Sequence, residues 1–470
     1  GIPLGDELTI ISLITNGTFT PVNAAAGFDK VVLHALFDTL FVFDADGNLQ
    51  PCLAKSYEQN SFDVTIKIRN DVSFTDGAPL TADDVVFSFD VYENDTVNGP
   101  YIRQYITSIE KVDDATVLVH SLRDDELWKN ILAEYIYIME AATYDASSSY
   151  ADSAPTGTGA YLLDSVDEAR TVTLTANEDY WGGAPEFTTV RVQAPVDSST
   201  ALVALQNGEA NLVTQIALSA VETAREDPNL EVSTFASWSQ QMLGVCTGDQ
   251  AFRQAIFHAI DRQNIIDICN DGEGEPATDM FSKKIMGDLA GSVEFTGYDP
   301  ELAQELIAQS ETDLSQTFTI YTYDAADVAQ CIQQDLAKIG INIEVGAVDS
   351  NTYSQALIDK TAQMFLGAFG TDMLTPDSFV ELFLAEGTFY YFPISDELRQ
   401  KVADMLAIPS IADRRDLVIE IMGDMVEEAP IVPLYDKNSY DVYTKGLGGV
   451  LPSSSGTYVY YVGDFTNEQQ

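Results

Sequence analysis

Alternation of apolar and polar residues predicts strands in the first part of the chain. Phe62, Val64, Ile66 and Ile68 alternate with polar neighbours, as the buried side of a half-buried strand does. A short apolar run at residues 9–13 predicts an earlier strand. The chain therefore begins with sheet-forming segments.

A helix with a well-defined start is predicted shortly afterwards. Thr81 and Asp84 have the spacing of a capping box, in which each side chain can bond the backbone N–H of the other. Val85, Phe89 and Tyr92 then follow at helical spacing and predict one buried face. This stretch contains no nucleophile, histidine or metal-ligand cluster, so it predicts structure and not catalysis.

Further patterns predict α/β organisation. Residues 317–323 and 341–348 are strand-like and flank an amphipathic helix at 327–339, which predicts two parallel strands joined by a helix. Asp261 is placed to cap another helix, and residues 30–40 predict a helix near the start of the chain.

Charge limits the classes of partner. The 470 residues include 74 acidic and 23 basic side chains, a formal charge of −51 spread along the whole chain. Nucleic acids and anionic membrane surfaces repel such a protein, so neither is an expected partner. No run of about 18 apolar residues predicts a transmembrane helix, and no signal peptide is visible at Gly1. A cytosolic location and export after signal removal both remain open from these residues.

Candidate catalytic and metal-binding motifs are sparse. The four cysteines show no zinc spacing, and the three histidines show no i,i+4 pairing. Cys331 is expected in a helical core, while Cys246 and Cys269 form the one pair considered for a disulfide. We therefore expect neither an enzyme nor a cofactor. The residues concerned are Cys52, Cys246, Cys269, Cys331, His34, His120 and His258.

Six segments in order along the chain together resemble one family. They match the bacterial ABC-transporter extracellular solute-binding proteins of the oligopeptide, dipeptide and nickel type, from about Leu36 to Leu447. The segments are FTDGAPLTADDVVFSFD at 74–90, GTGAYLLDS at 157–165, NEDYWGGAPEFTTVRV at 177–192, ALVALQNGEANLV at 201–213, AFRQAIFHAIDRQNII at 251–266 and APIVPLYDKNSYDVY at 429–443.

The resemblance implies an α/β, two-lobed periplasmic-binding-protein-like fold of type II, in the large subgroup with an extra domain inserted in lobe one. Lobe one would comprise residues 1–38, 157–238 and 445–470, the inserted domain 39–156 and lobe two 239–444. Such a protein captures its ligand by hinge closure and presents it to a membrane permease. We expect a monomer at the extracellular face of the membrane, made as a lipid-anchored precursor, or in the periplasm.

The resemblance also implies a ligand-binding set. Residues 367–383 resemble the cleft segment of the family, in which an aspartate pairs with the α-amino group of a bound peptide, and Asp372 occupies that position. Oligopeptides or dipeptides are the expected ligands; an oligosaccharide, a metal chelate or a ligand sensor without transport are the alternatives. The expected ligand-binding residues are Asp372, Trp238, Ser239, Gln240, Phe369, Thr371, Phe19, Thr18 and Tyr101.

Overall fold

A computed structural model describes residues 1–12, 22, 27–96, 98–146, 156–194, 196–371, 374–450 and 459–469. The chain divides into two compact units, here called unit 1 (Gly1–Phe235 and Ser439–Gln470) and unit 2 (Ala236–Asn438). Both boundaries fall inside long strands, at Leu230–Val245 and Ile431–Thr444. The finer division into two lobes and an inserted domain stays a prediction.

Unit 1 contains the elements from the start of the chain to the first long strand, and the last elements of the chain. The first set is β1 Glu7–Ser12, α1 Gly27–Leu36, β2 Phe41–Phe43, β3 Leu49–Pro51, β4 Ala54–Asn60, β5 Asp63–Ile68, α2 Ala82–Glu93, α3 Gly99–Ile102, β6 Ile106–Asp113, β7 Thr116–Ser121, α4 Trp128–Glu134, β8 Tyr161–Val166, β9 Val172–Ala176, β10 Thr189–Gln193, α5 Ser198–Gln206, β11 Leu212–Thr214, α6 Leu218–Glu226 and the start of β12 Leu230–Val245.

Unit 2 contains the rest of β12 and a helix-rich segment. Its elements are α7 Gln250–Ala259, α8 Arg262–Cys269, α9 Lys283–Met286, α10 Pro300–Gln309, β13 Thr317–Thr322, α11 Ala326–Ala337, β14 Asn342–Ala347, α12 Ser350–Ile358, β15 Met364–Phe369, α13 Pro376–Leu384, α14 Asp396–Leu406, α15 Ile411–Glu428 and the start of β16 Ile431–Thr444. Short strands β17 Leu447–Gly448 and β18 Thr466–Asn467 follow in unit 1.

Among the described residues, unit 1 contains two larger sheets and the two-stranded sheets β2-β3 and β17-β18. In one of the larger sheets, β1 pairs in parallel with β10 and β11, and β9 and β8 continue the sheet in antiparallel fashion. The other is an antiparallel sheet in the order β4-β5-β7-β6. Within β5 the predicted alternation holds, since Val64, Ile66 and Ile68 are buried.

The predicted helix start in unit 1 is confirmed, but the predicted end of an earlier helix is wrong. The Thr81 N–H donates to Asp84 Oδ2 at 3.0 Å, and α2 begins at Ala82. Helix α1 ends at Leu36 instead of residue 40, because the next residues run into the β2 hairpin. After the end of α1, the Asp38 carboxylate accepts hydrogen bonds from Tyr180, Trp181 and Thr158. These partners lie far away in the sequence, so the local pattern of residues 30–40 could not predict them.

Unit 2 is organised around a sheet in the order β14-β13-β15-β12. The predicted β-α-β unit is confirmed: β13 and β14 pair in parallel, with α11 between them in the chain. Asp261 caps α8 by accepting from the Asn264 N–H at 3.1 Å. Successive residues of β12 alternate between two buried cores, because Met242 packs in one and Leu243 in the other.

The two cores correct the cysteine prediction. Cys246 packs against the core that contains Met242, whereas Cys269 packs against the core that contains Leu243. Cys331 is buried in the second core, as expected, and its Sγ lies 3.7 Å from that of Cys269. The neighbour of Cys269 is therefore Cys331, and not Cys246.

The described residues contain no candidate membrane-spanning helix and no candidate metal-binding cluster. No helix in the described ranges is both long and apolar enough to cross a membrane. In the same ranges, no cluster of three or more His, Cys, Asp or Glu side chains could hold a metal ion.

Asp441 of unit 1 is a fully buried carboxyl group. One of its oxygens accepts from the Gln215 N–H and from the Tyr460 hydroxyl, both at 2.9 Å. Among the described residues, the other oxygen has no hydrogen-bond partner. Burial outweighs the two hydrogen bonds and raises the pKa of Asp441 to about 7.

We predict that Asp441→Asn flattens the pH dependence of stability. Because the native pKa is raised, the contribution of protonated Asp441 to stability is fully present below about pH 4, the ordinary aspartate pKa, and is lost as the pH rises through about 7. Between pH 5 and 8 the native chain should lose roughly 2 kcal/mol more unfolding free energy than the variant. Urea unfolding at both pH values measures this difference. Glu222→Gln, at an exposed acid, should leave the profile unchanged; an unchanged profile in Asp441→Asn would contradict the account.

Candidate functional site

The pairing of β12 with β15 brings most of the predicted ligand-binding residues together. The register aligns Gln240 with Phe369 and continues to Val245 opposite Met364. Trp238 and Ser239 precede the first of these pairs, and Thr371 comes two residues after the end of β15. Two segments that lie far apart in the sequence therefore form one end of the unit 2 sheet.

Gly370 makes the close approach at this end of the sheet possible. Its φ angle is +146°, a conformation that residues with a side chain rarely adopt. A Cβ atom there would lie 2.0 Å from the Trp238 carbonyl oxygen. The Ser239 Oγ also lies 3.4 Å from the Gly370 carbonyl oxygen. Only glycine therefore lets the two strands meet in this way.

Hydrogen bonds fix the position of Gln240, which is almost completely buried. Its Nε2 donates to the Asp279 carbonyl oxygen at 3.3 Å and to Asp436 Oδ1 at 3.1 Å. The other Asp436 oxygen accepts from the Lys283 N–H at 3.0 Å. Burial raises the pKa of Asp436, while the bonds from Lys283 and Gln240 oppose this increase.

Three buried polar atoms at this end of the sheet lack a partner among the described residues. They are the donors Trp238 Nε1 and Gln241 Nε2 and the acceptor Gln240 Oε1. The Ser282 hydroxyl donates to the Trp238 carbonyl at 2.7 Å and holds the backbone in place. Buried polar groups are usually satisfied by a partner or a water molecule, so this region retains capacity for further hydrogen bonds.

Phe369 belongs to a cluster of aromatic rings. Its ring packs edge-on against Phe365, Phe383 and Tyr390, with centroid separations of 6.0, 5.4 and 6.2 Å. These arrangements are the favourable ones for aromatic pairs. The orientation of the Phe369 ring is therefore set by its neighbours.

A pocket of about 470 Å³ opens beside the Phe369 ring. This volume falls within the range of small-molecule sites. None of its lining residues is charged, although charged residues make up 21% of the chain. The lining residues are Tyr323, Ser350, Tyr353, Ser354, Leu357, Ile358, Gly367, Ala368, Phe369, Phe389 and Tyr390.

One face of helix α12 forms a wall of this pocket. Residues 350, 353, 354, 357 and 358 line it, which is the spacing of one helical face. The buried Tyr353 hydroxyl has no partner within the described part of the chain. A Cβ on Gly367 would lie 3.0 Å from this hydroxyl and 2.8 Å from the Phe369 ring. The absence of a side chain at Gly367 therefore keeps this part of the pocket open.

No pattern in the sequence predicts this pocket. Tyr323 and Phe389 belong to different elements and are 66 residues apart, so no local pattern joins them. The helical spacing of Tyr353 and Leu357 was visible, but a helix that packs on a core has the same spacing. Only the exposure of Tyr323 and Phe389, 47% and 61%, distinguishes the mouth of a pocket from a core.

The remaining predicted site residues divide into two groups. Tyr101 lies in unit 1, where it is 54% exposed and stacks on Tyr135 at 6.5 Å. Thr18, Phe19 and Asp372 lie outside the described residues, so their roles stay predictions.

Comparison with known proteins identifies the family. The sequence profile of the bacterial extracellular solute-binding proteins, family 5, matches residues 48–391. The chain therefore belongs to this family, whose members bind solutes for transport and are not enzymes.

Individual relatives agree with this assignment. The chain is 25% identical to the peptide transport periplasmic protein SapA of Salmonella typhimurium, over 93% of this chain and 88% of SapA. It is 26% identical to the nickel-binding protein NikA of Staphylococcus aureus, over 66% of this chain and 64% of NikA. The fold matches that of the ABC transporter substrate-binding protein CtaP of Listeria monocytogenes with a TM-score of 0.83 and 22% sequence identity, over 98% of this chain and 99% of CtaP. The α/β periplasmic-binding-protein fold is therefore confirmed.

We predict that Gly370→Ala destabilises unit 2. The added methyl group would meet the Trp238 carbonyl oxygen, so the two strands must separate, and the variant should lose at least about 2 kcal/mol of unfolding free energy. Urea unfolding gives this value. Gly387→Ala is the matched control, because Gly387 also has positive φ but has free space around it. Equal losses in the two variants would show that the close approach is unimportant.

Proposed function

We propose that this protein is the solute-binding component of an ABC importer and that it captures peptides carrying a large apolar side chain. The observation that carries this proposal is the uncharged aromatic pocket beside Phe369. When an apolar side chain binds in such a pocket, the apolar surface removed from water stabilises the complex by about 25 cal/mol per Å². Its lining contains no charged group that could pair with a charged side chain, whose desolvation is costly.

A second contact would hold the amino end of the peptide. Asp372 follows Phe369 by three residues, and we propose that its carboxylate pairs with the α-amino group. A charge-assisted hydrogen bond of this kind is stronger than one between neutral groups. Trp238 and Gln240 are further proposed contacts of the peptide; the Trp238 Nε1 and Gln240 Oε1 are buried without a partner among the described residues, so contact with a peptide would require the side chains around them to move.

Transport would follow from closure of the protein around its ligand. We propose that a bound peptide stabilises a closed arrangement of the two predicted lobes, which a membrane permease then recognises. The protein would act as a monomer on the extracellular side of the membrane, anchored by a lipid, or in the periplasm. Ser239, Thr371, Thr18, Phe19 and Tyr101 remain proposed contacts to the ligand.

A metal chelate is the second candidate ligand. The observation in its favour is the similarity to the nickel-binding protein NikA of Staphylococcus aureus. The similar proteins include one named for peptide transport and one named for nickel binding, so similarity alone does not distinguish the two ligand classes. A test of function therefore has to compare both, together with oligosaccharides.

We predict that free-amino peptides raise the thermal midpoint and that Asp372→Asn abolishes the rise. A ligand at 100 times its dissociation constant adds about 2.7 kcal/mol to the native state. The panel contains peptides of two to eight residues, the same peptides acetylated at the amino end, nickel with and without chelators, and oligosaccharides. Differential scanning fluorimetry measures each midpoint.

The controls of this experiment separate its two claims. Glu381→Gln, at an exposed acid on α13, should respond like the unmodified chain. A rise that persists in Asp372→Asn would refute the amino-group contact but not peptide binding. A rise only with a metal chelate or a sugar would refute the peptide proposal itself.

We predict that Ser354→Trp blocks the pocket. Ser354 is exposed at the wall of the pocket, so the bulky ring should occupy the space of the ligand without disturbing a core. Affinity for peptides with a Phe or Leu side chain should fall at least about tenfold, a loss of about 1.4 kcal/mol in calorimetric titration. Gln355→Trp is the matched control, because Gln355 is an exposed neighbour that does not line the pocket. Equal affinities in the two variants would contradict a role of the pocket.

A further inference from the structure

Two thiols of unit 2 are in contact. The Sγ atoms of Cys269 and Cys331 lie 3.7 Å apart, although 62 residues separate them in the chain. Cys269 is the last residue of α8, and Cys331 lies in the middle of α11. Both are free thiols in this structure. The packing of two helices therefore brings together the reacting atoms of a disulfide.

The two thiols differ in accessibility. Cys331 is buried in the core, with 7% of its surface exposed, whereas Cys269 is only partly buried at the edge of the same core. Burial, then the contact with Cys331 and the charge of Asp327, raise the pKa of Cys269 to about 12. Little thiolate forms at neutral pH, so reaction with a small disulfide will be slow.

We propose that Cys269 and Cys331 form an intramolecular disulfide when the protein meets a disulfide oxidant. The family is extracellular, and disulfides form and persist in such compartments. The inference rests on the contact between the thiols and on the compartment, and it does not depend on which ligand the protein binds.

The reaction consists of two thiol–disulfide exchanges. The Cys269 thiolate attacks one sulfur of the oxidant, forming a mixed disulfide and releasing one thiol. The Cys331 thiolate then attacks the Cys269 sulfur and releases the second thiol. The two cysteines lose two electrons and two protons, and the oxidant disulfide gains them as two thiols.

The disulfide would connect α8 to α11. Helix α11 lies between β13 and β14 in the chain, and Tyr323 and Ser350 of the pocket follow those strands. A cross-link that closes a loop of this length restricts the unfolded chain. We expect the thermal midpoint of unit 2 to rise by roughly 5–10 °C.

Peptide mapping tests the proposal directly, since each cysteine lies in a different tryptic peptide. The whole protein is incubated with excess glutathione disulfide at pH 8.5, or refolded from urea in the same buffer, then blocked with a maleimide and digested without reduction. Peptide 263–283 should appear linked to 285–338, two hydrogens lighter than their sum. Cys52 in 31–55 and Cys246 in 226–253 should carry the maleimide.

Two variants identify the pathway. Cys331→Ser should trap Cys269 as its glutathione mixed disulfide, without a cross-link and without the rise in thermal midpoint. Cys246→Ser should form the same cross-link as the unmodified chain. Four free thiols after refolding, or a link that involves Cys246 or Cys52, would overturn the proposal.

Discussion

The antiparallel pairing of β12 with β15 is the constraint on which the candidate site depends. It places Gln240 opposite Phe369 and brings Trp238 against Gly370, over a separation of more than 120 residues in the chain. The backbone hydrogen bonds of the two strands fix these positions, while the glycine permits the contact. A shift of one residue would turn Phe369 away from the aromatic cluster, because neighbouring side chains point to opposite faces.

Charge and polarity are distributed unevenly in this molecule. A chain with a net charge of −51 keeps every charged side chain out of the lining of the pocket beside Phe369. Most acidic groups of the described residues lie at the surface, while burial raises the pKa of Asp441 and of the half-buried Asp436, and hydrogen bonds partly offset this increase. The lining of the pocket is therefore suited to apolar groups, and in the proposed function the charged amino group of a peptide would be recognised by Asp372, which is not one of the lining residues.

Local chemistry in the sequence predicted local structure well. The capping box at Thr81, the cap at Asp261 and the two parallel strands around α11 each depend on residues close together in the chain, and all three are confirmed. The pocket and the contact between Cys269 and Cys331 depend on residues that only folding brings together. The resemblance to the family predicted Phe369 and Trp238 as ligand-binding residues. It did not predict the face of α12 that lines the pocket beside Phe369.

A crystal structure of the protein with a bound peptide that contains phenylalanine would show whether the pocket beside Phe369 binds an apolar side chain. We expect the phenyl ring to lie in the pocket between Tyr353, Phe369 and Tyr390. A bound peptide whose apolar side chain lies elsewhere, with this pocket filled only by water, would contradict it.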